Sequence, residues 1–296
     1  MRLPFLKGGD MIKTGILSTA YFGFDDFSSG MEKIRAHGYD CIDYQEFARF
    51  AESPLYKMTD GEIERYLTEV KACAAENGLE IWQLHGVWPT VDDKTAEGRA
   101  KTREYQQKAI AGAQILGCKR VIVHPCMPRG WSNGTKEEFF EKNVEMLSVL
   151  APYAEGAGVI LCLENMPFKQ GETFSTLAEW LAVLDALQSP NVQACLDTGH
   201  AACLDTTPYQ TVTALGARLA ALHVHDDRAR QDRHLMPFQG DYDWTGFIQG
   251  LKDIGFDGCI SLECCVQRQT PQPMKEQMQL ALSGIAKWIA ESVARK

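Results

Sequence analysis

The sequence lacks several things that would have pointed elsewhere. No apolar run approaches the roughly 20 residues needed to cross a bilayer, and the first ten residues carry neither the long apolar stretch nor the small-residue cleavage site of a secretory leader. Its ten cysteines include no Cys-x-x-Cys pair, which argues against a thiolate zinc site or a dithiol redox motif. Several of them (Cys41, Cys162, Cys195 and Cys259) sit inside apolar runs and read as reduced, buried small hydrophobes. Positive charge is short, with 30 Lys and Arg against 39 Asp and Glu and a net charge of -9, so a broad basic face for gripping nucleic acid is not expected. Neither a Walker-type nor a GxGxxG phosphate loop is present. No linker rich in Pro, Gly or Ser divides the chain. These absences together predict one soluble, cytoplasmic domain acting on a small molecule without a membrane, spanning residues 12–296 after an N-terminal extension of residues 1–11.

What the sequence contains is an alternation. Short apolar runs at residues 12–17, 41–44, 79–84, 120–123, 159–163, 192–196, 219–224 and 258–262 are separated by longer helical patterns. The runs show little polar alternation, as expected of strands covered on both faces. Thr59 with Glu62 and Thr135 with Glu138 have capping-box spacing, Asn77-Gly78 and Leu116-Gly117 supply helix stops, and Pro208 suits a first helical turn. Phe140, Val144, Leu147 and Ala151 are spaced to form one apolar stripe on the fourth long helix. Eight strand-helix units of even length predict an α/β fold, a single closed (β/α)8 TIM barrel, in preference to an open six-stranded sheet with a helical tail.

A barrel gathers the C-terminal ends of its strands around one mouth, so the residue following each run matters most. Runs three, four, five, six and eight are followed by His85, His124, Glu164, Asp197 and Glu263, and run seven carries His223 at its end. Any one of these could be a helix cap or a satisfied hydrogen-bond partner. Six in succession point to a shared site. Carboxylates crowded at a mouth repel one another and lose their hydration, and a divalent cation offsets both costs. Carboxylate and imidazole without thiolate suit one divalent cation such as Mn2+, Co2+, Mg2+ or Zn2+. Residues 222–243 hold three of the seven histidines, and in this stretch His225, Asp226 and Asp227 are expected to brace the loop.

The motifs VILCLENMP (159–167), CLDTGHA (195–201), LHVHD (222–226), DRH (232–234) with GDYDW (240–244), and ISLEC (260–264) resemble those of the sugar-phosphate isomerase/epimerase family. That family has the xylose-isomerase-like TIM barrel and includes ketose 3-epimerases and hydroxypyruvate isomerases. The resemblance implies a divalent ion held by Glu164, Asp197, His223 and Glu263. It also implies that Glu164 and Glu263 transfer protons, that His200 contacts substrate, and that a sugar or sugar phosphate is the partner. Members often assemble as homodimers or homotetramers, and the sequence leaves the assembly open.

Deprotonation beside a ketone needs a base at carbon, an electrophile at oxygen and exclusion of water. Two glutamates on opposite faces would invert the centre; one acting alone would shift the proton between carbons, giving an aldose-ketose isomerase. The ligand set leaves epimerase, isomerase and a related dehydratase open. His85, His124, Asp232, His234 and Arg129 are further candidates for substrate contact, with Arg129 suited to an anion. Trp88, Trp131 and Phe168 are candidate aromatic walls. A rival resemblance is to apurinic-site DNA endonucleases, whose three-zinc ligands correspond in pattern to His85, His124, Glu164, Asp197, His200, His223, Asp232, His234 and Glu263. Only Arg129, Arg228, Arg230, Arg233 and Arg268 supply positive charge near the mouth, which weighs against a DNA-binding phosphodiesterase. A non-catalytic sugar-binding barrel is the third reading.

Overall fold

The computed structural model describes residues 12–126, 135–167, 176–204, 206–267 and 269–295. Five strands open the chain order: β1 (Lys13–Leu17), β2 (Cys41–Tyr44), β3 (Glu80–His85), β4 (Arg120–Val123) and β5 (Ile160–Glu164). They are followed by β6 (Val192–Asp197), β7 (Leu219–His223), β8 (Asp226–Arg228), β9 (Gln231–Leu235) and β10 (Cys259–Leu262). Eight of them form one parallel sheet in the order β10-β1-β2-β3-β4-β5-β6-β7. The seam closes beyond β7, where the Val224 N–H donates to Ser261 O at 2.8 Å and the Glu263 N–H donates to Val224 O at 3.0 Å. The eight runs read from the sequence are these eight strands, and the expected TIM barrel is the fold.

Helices α1 (Phe27–His37), α2 (Asp60–Glu76), α3 (Ala96–Leu116), α4 (Lys136–Ala157) and α5 (Leu177–Leu187) cover the first half of the barrel. The short α6 (Thr198–Ala201), α7 (Pro208–Leu215), α8 (Trp244–Asp253) and α9 (Gln272–Ala294) complete it. Both expected capping boxes are formed, at Thr59/Glu62 and Thr135/Glu138, and two more appear at Thr176/Glu179 and Thr207/Gln210. The stops at Gly78 (φ 65°) and Gly117 (φ 75°) use the left-handed conformation that costs glycine little.

The apolar stripe expected on α4 faces the core except at its first residue. Leu147 is fully buried and Val144 and Ala151 pack against the core, but Phe140 is 37% exposed, and the buried face extends to Phe139, Asn143, Met146, Leu150 and Ala154. The buried face is wider than the apolar stripe because a polar side chain also occupies an inward position. Asn143 Oδ1 accepts from the Cys126 N–H at 2.7 Å, while its amide donates to Cys126 O and Phe139 O. A pattern of hydrophobicity alone cannot see a buried amide that is satisfied by backbone.

One element was not anticipated. The segment after β7, expected to be a long loop, folds into the antiparallel hairpin β8-β9, with Arg228 opposite Gln231. Its two turn residues, Ala229 and Arg230, both take φ of 56°, the left-handed conformation that a two-residue hairpin turn demands. They lack the Asn-Gly signature by which such a turn is recognised. Among the described residues, no helix is long and apolar enough to cross a membrane.

Candidate active site at the C-terminal mouth

The mouth is organised around the His223 ring, which is fully buried. Its Nδ1 lies 3.1 Å from Glu164 Oε1 and 3.2 Å from Glu263 Oε2, and its Nε2 lies 3.0 Å from Asp43 Oδ2. Glu164, Asp197, His223 and Glu263 each offer one ligand atom, and these atoms all lie within 4.8 Å of one another. Four strands bring them together, with Asp197 directly opposite His223 in the β6-β7 register.

Asp197 is fixed through every group it has. Asn165, next to Glu164, accepts from the Asp197 N–H at 2.8 Å and donates to its carbonyl at 3.0 Å, joining the ends of β5 and β6. Asp197 Oδ1 caps α6 by accepting from the His200 N–H at 2.7 Å, and Oδ2 lies 2.9 Å from His225 Nε2. His225 packs so closely on α6 that a Cβ at Gly199 would sit 1.9 Å from its Cε1, so only glycine fits there.

The electrostatics show carboxylates crowded closely enough that Glu263 and His223 hold their protons more tightly than free groups would. Burial raises the Glu164 carboxyl, but the neighbouring His124 and His223 outweigh it and bring the group down to about 2. Burial also acts on Glu263, and with Glu164 and Asp197 nearby it holds that carboxyl well above the usual range despite His223. His223 would be lowered by burial, yet the groups around it, including Glu263, Glu164 and Asp43, push it well above an ordinary imidazole. Glu164 Oε2 is buried and makes no hydrogen bond, although His124 Nε2 lies 3.2 Å away. A cation fits this set: it would replace the protons on Glu263 and on His223 Nδ1 and satisfy the idle carboxylate oxygen.

The other candidates surround this centre. His85 stacks parallel to His223 with centroids 5.5 Å apart, His124 lies 5.0 Å from His85, and Trp88 stacks on His124 at 4.2 Å. Burial leaves His124 neutral, its basicity lowered to about 3. On the opposite side His200 Nδ1 meets the Asn165 carbonyl at 2.8 Å and Nε2 meets Asp232 Oδ2 at 3.3 Å. Burial opposes charge on His200, but Asp197 and Asp232 overcome it and raise the ring to about 10. Asp232 Oδ1 then reaches His234 Nε2 at 3.3 Å on the half-exposed rim. His234 stands on left-handed backbone (φ 47°) with Nδ1 on the Glu263 carbonyl at 2.8 Å. Strain of this kind in a non-glycine residue gathers at functional sites.

Asp226 does brace the loop, as expected, accepting from the Gly240 and Tyr242 N–H groups and from Trp244 Nε1. His225 differs from expectation, since it is buried against the Asp197 carboxylate and belongs to the site. Arg129, Trp131, Phe168 and Arg268 lie outside the described residues. Asp43, Gln83 and Asn165 were not singled out from sequence. The first two interrupt apolar runs with a polar residue, and that interruption was the available signal.

The fold and this mouth define a class, the xylose isomerase-like TIM barrels. The model of that family matches residues 31–284, and the chain belongs to it. The chain is similar to an uncharacterized protein of Methanocaldococcus jannaschii, 29% identical over 257 residues that cover 85% of this chain and 83% of that one. It is also similar to a D-psicose 3-epimerase of Enterocloster bolteae (27% over 250 residues, covering 81% and 77%) and an inosose isomerase of Bacillus subtilis (27% over 157 residues, covering 51% and 55%). Among solved structures, a D-tagatose 3-epimerase-like protein superimposes with a TM-score of 0.75 at 27% identity, covering 96% of this chain and 98% of that one. The resemblance drawn from the five motifs is thereby borne out.

Proposed function

We propose that the chain is a metal-dependent epimerase or isomerase of a sugar or sugar phosphate, working by proton transfer at the carbon beside a carbonyl. The observation that carries this reading is the pair Glu164 and Glu263, which reach His223 Nδ1 from β5 and from the end of β10 at 3.1 and 3.2 Å. Relatives that are ketose 3-epimerases and inosose isomerases support it. A divalent ion held by Glu164, Asp197, His223 and Glu263 would polarise the substrate carbonyl and orient its neighbouring hydroxyl.

Glu164 and Glu263 come from strands well separated around the ring, so one removes a proton from one face of the substrate and the other returns it on the opposite face. His200, held by the Asn165 carbonyl, directs its Nε2 edge toward Asp232 and the rim, where a substrate hydroxyl or oxyanion can take a hydrogen bond. His85, His124 and Trp88 build a wall that keeps water from the carbanion. The same pair yields an isomerase when a single glutamate carries the proton between adjacent carbons.

Incubating the metal-loaded protein in D2O with ketoses, ketose phosphates and hydroxypyruvate tests this. Deuterium at C3 with inversion identifies an epimerase; exchange with aldose formation identifies an isomerase. No exchange across the panel, together with about three tightly bound zinc ions per chain, would overturn the reading in favour of the multinuclear phosphodiesterase.

A further inference from the structure

Asp43 is fully buried on β2, the strand before the six that end in ligating residue types. Its Oδ2 accepts from Gln83 Nε2 at 3.0 Å and lies 3.0 Å from His223 Nε2, while its Oδ1 has no partner. A carboxylate placed in a barrel interior with one oxygen idle is costly, and packing alone gives no reason to keep it. Its placement has a chemical use, because a carboxylate only accepts hydrogen bonds. Contact with Asp43 therefore keeps a proton on Nε2, and Nδ1 is left as the nitrogen that can offer a lone pair. Nδ1 is also the nitrogen facing Glu164 and Glu263.

Gln83 holds this arrangement in place. Besides donating to Asp43, its amide donates to Leu222 O at 3.2 Å, the carbonyl preceding His223 on β7. One side chain on β3 thus ties the carboxylate on β2 to the strand that carries the imidazole, across the barrel interior.

Resting on the proposed four-ligand set, we propose that Asp43, held by Gln83, is the positioning residue that keeps the His223 Nε2 proton on its own carboxylate and so presents Nδ1, beside Glu164 and Glu263, to a divalent ion. Outer partners of this kind are worth about 10–100-fold in metal affinity. In Asp43→Asn the amide can turn its N–H onto Nε2, which drives the ring proton to Nδ1, where it competes with the ion.

The test is titration of metal-stripped wild type and Asp43→Asn with Mn2+, following bound ion by calorimetry and free Mn2+ by its electron paramagnetic resonance signal. Asp43→Asn is expected to bind Mn2+ about 10–100-fold more weakly, while the stripped variant melts at or above the wild-type temperature. Gln83→Met, which leaves the carboxylate but frees it, is expected to lose less and decides the matter should Asp43→Asn not fold. Affinity within twofold of wild type in the folded variant, or a lowered melting temperature with unchanged affinity, overturns the positioning role and leaves the four-ligand reading standing. A wild-type chain that takes up no Mn2+ overturns both.

Discussion

The two ends of the barrel interior are built from the same strands two residues apart. Cys41 is followed by Asp43, Cys162 by Glu164, Cys195 by Asp197 and Ala221 by His223, and alternation along a strand puts each pair on the same inward face. The lower layer is small and apolar. It is closed by Trp82, which packs with Cys41 and Cys259 and has the Arg120 guanidinium 3.7 Å over its ring. Arg120 is occupied there, donating to Ala220 O at 2.8 Å. The upper layer is almost wholly ionisable, with one carboxylate oxygen idle on Glu164 and another on Asp43. Stability is thus concentrated below and chemistry above, and substitutions at the two ends should separate the two properties.

The largest effect is expected at the top. Glu164→Gln and Glu263→Gln should each lower turnover by roughly 10²–10⁴-fold, the range for a lost acid-base group, with the far-ultraviolet spectrum and melting point close to native. Substantial activity in both variants would remove the assignment. Below, the order reverses. Trp82→Ala should cost about 3–5 kcal/mol in denaturant unfolding, yet leave turnover per folded molecule near native; an equal loss of both would erase the distinction between the layers.

A pH profile sharpens the comparison at the rim. Burial holds Asp227 up at about 6, in spite of the Arg233 N–H and His225 beside it. An unfolded aspartate titrates near ~3.9, so between about 4 and 6 the folded chain keeps a proton that the unfolded chain releases, and stability falls as pH rises through that window. Below it the penalty vanishes. Asp227→Asn, which can still accept from Arg233, should therefore raise the melting temperature by about 2–4 °C at pH 7, on the order of 1 kcal/mol, with no change at pH 4. A shift of the same size at both pH values would show that charge is not the cause. Smallest of all, Thr135→Ala should cost about 1 kcal/mol through loss of the α4 cap, with activity untouched.

Much of this was legible beforehand because barrel strands are short, doubly covered and evenly spaced, so each announces itself as an apolar run. The residue after each run then falls at the mouth by topology alone. His85, His124, Glu164, Asp197 and Glu263 were visible in this way, and His223 as the penultimate residue of its run. Asp43 and Gln83 were not, since they lie inside runs and a reading that stops at the last apolar residue passes over them. His225 was assigned to the loop for a related reason: two residues past His223 it reads as turn, and only the close packing of Gly199 reveals that it is buried on Asp197.

The amino-acid sequence by itself determined the barrel, its eight strands, two of its four capping boxes and the ring of ligating residue types, because periodicity and strand-end position are local properties of the chain. The tertiary structure alone decided which nitrogen of His223 faces Glu164 and Glu263, that Asn143 joins the buried face of α4, and that His225 is buried on Asp197. Those outcomes depend on contacts between residues far apart in sequence, the longest being the 180-residue separation between Asp43 and His223, and no local pattern encodes them.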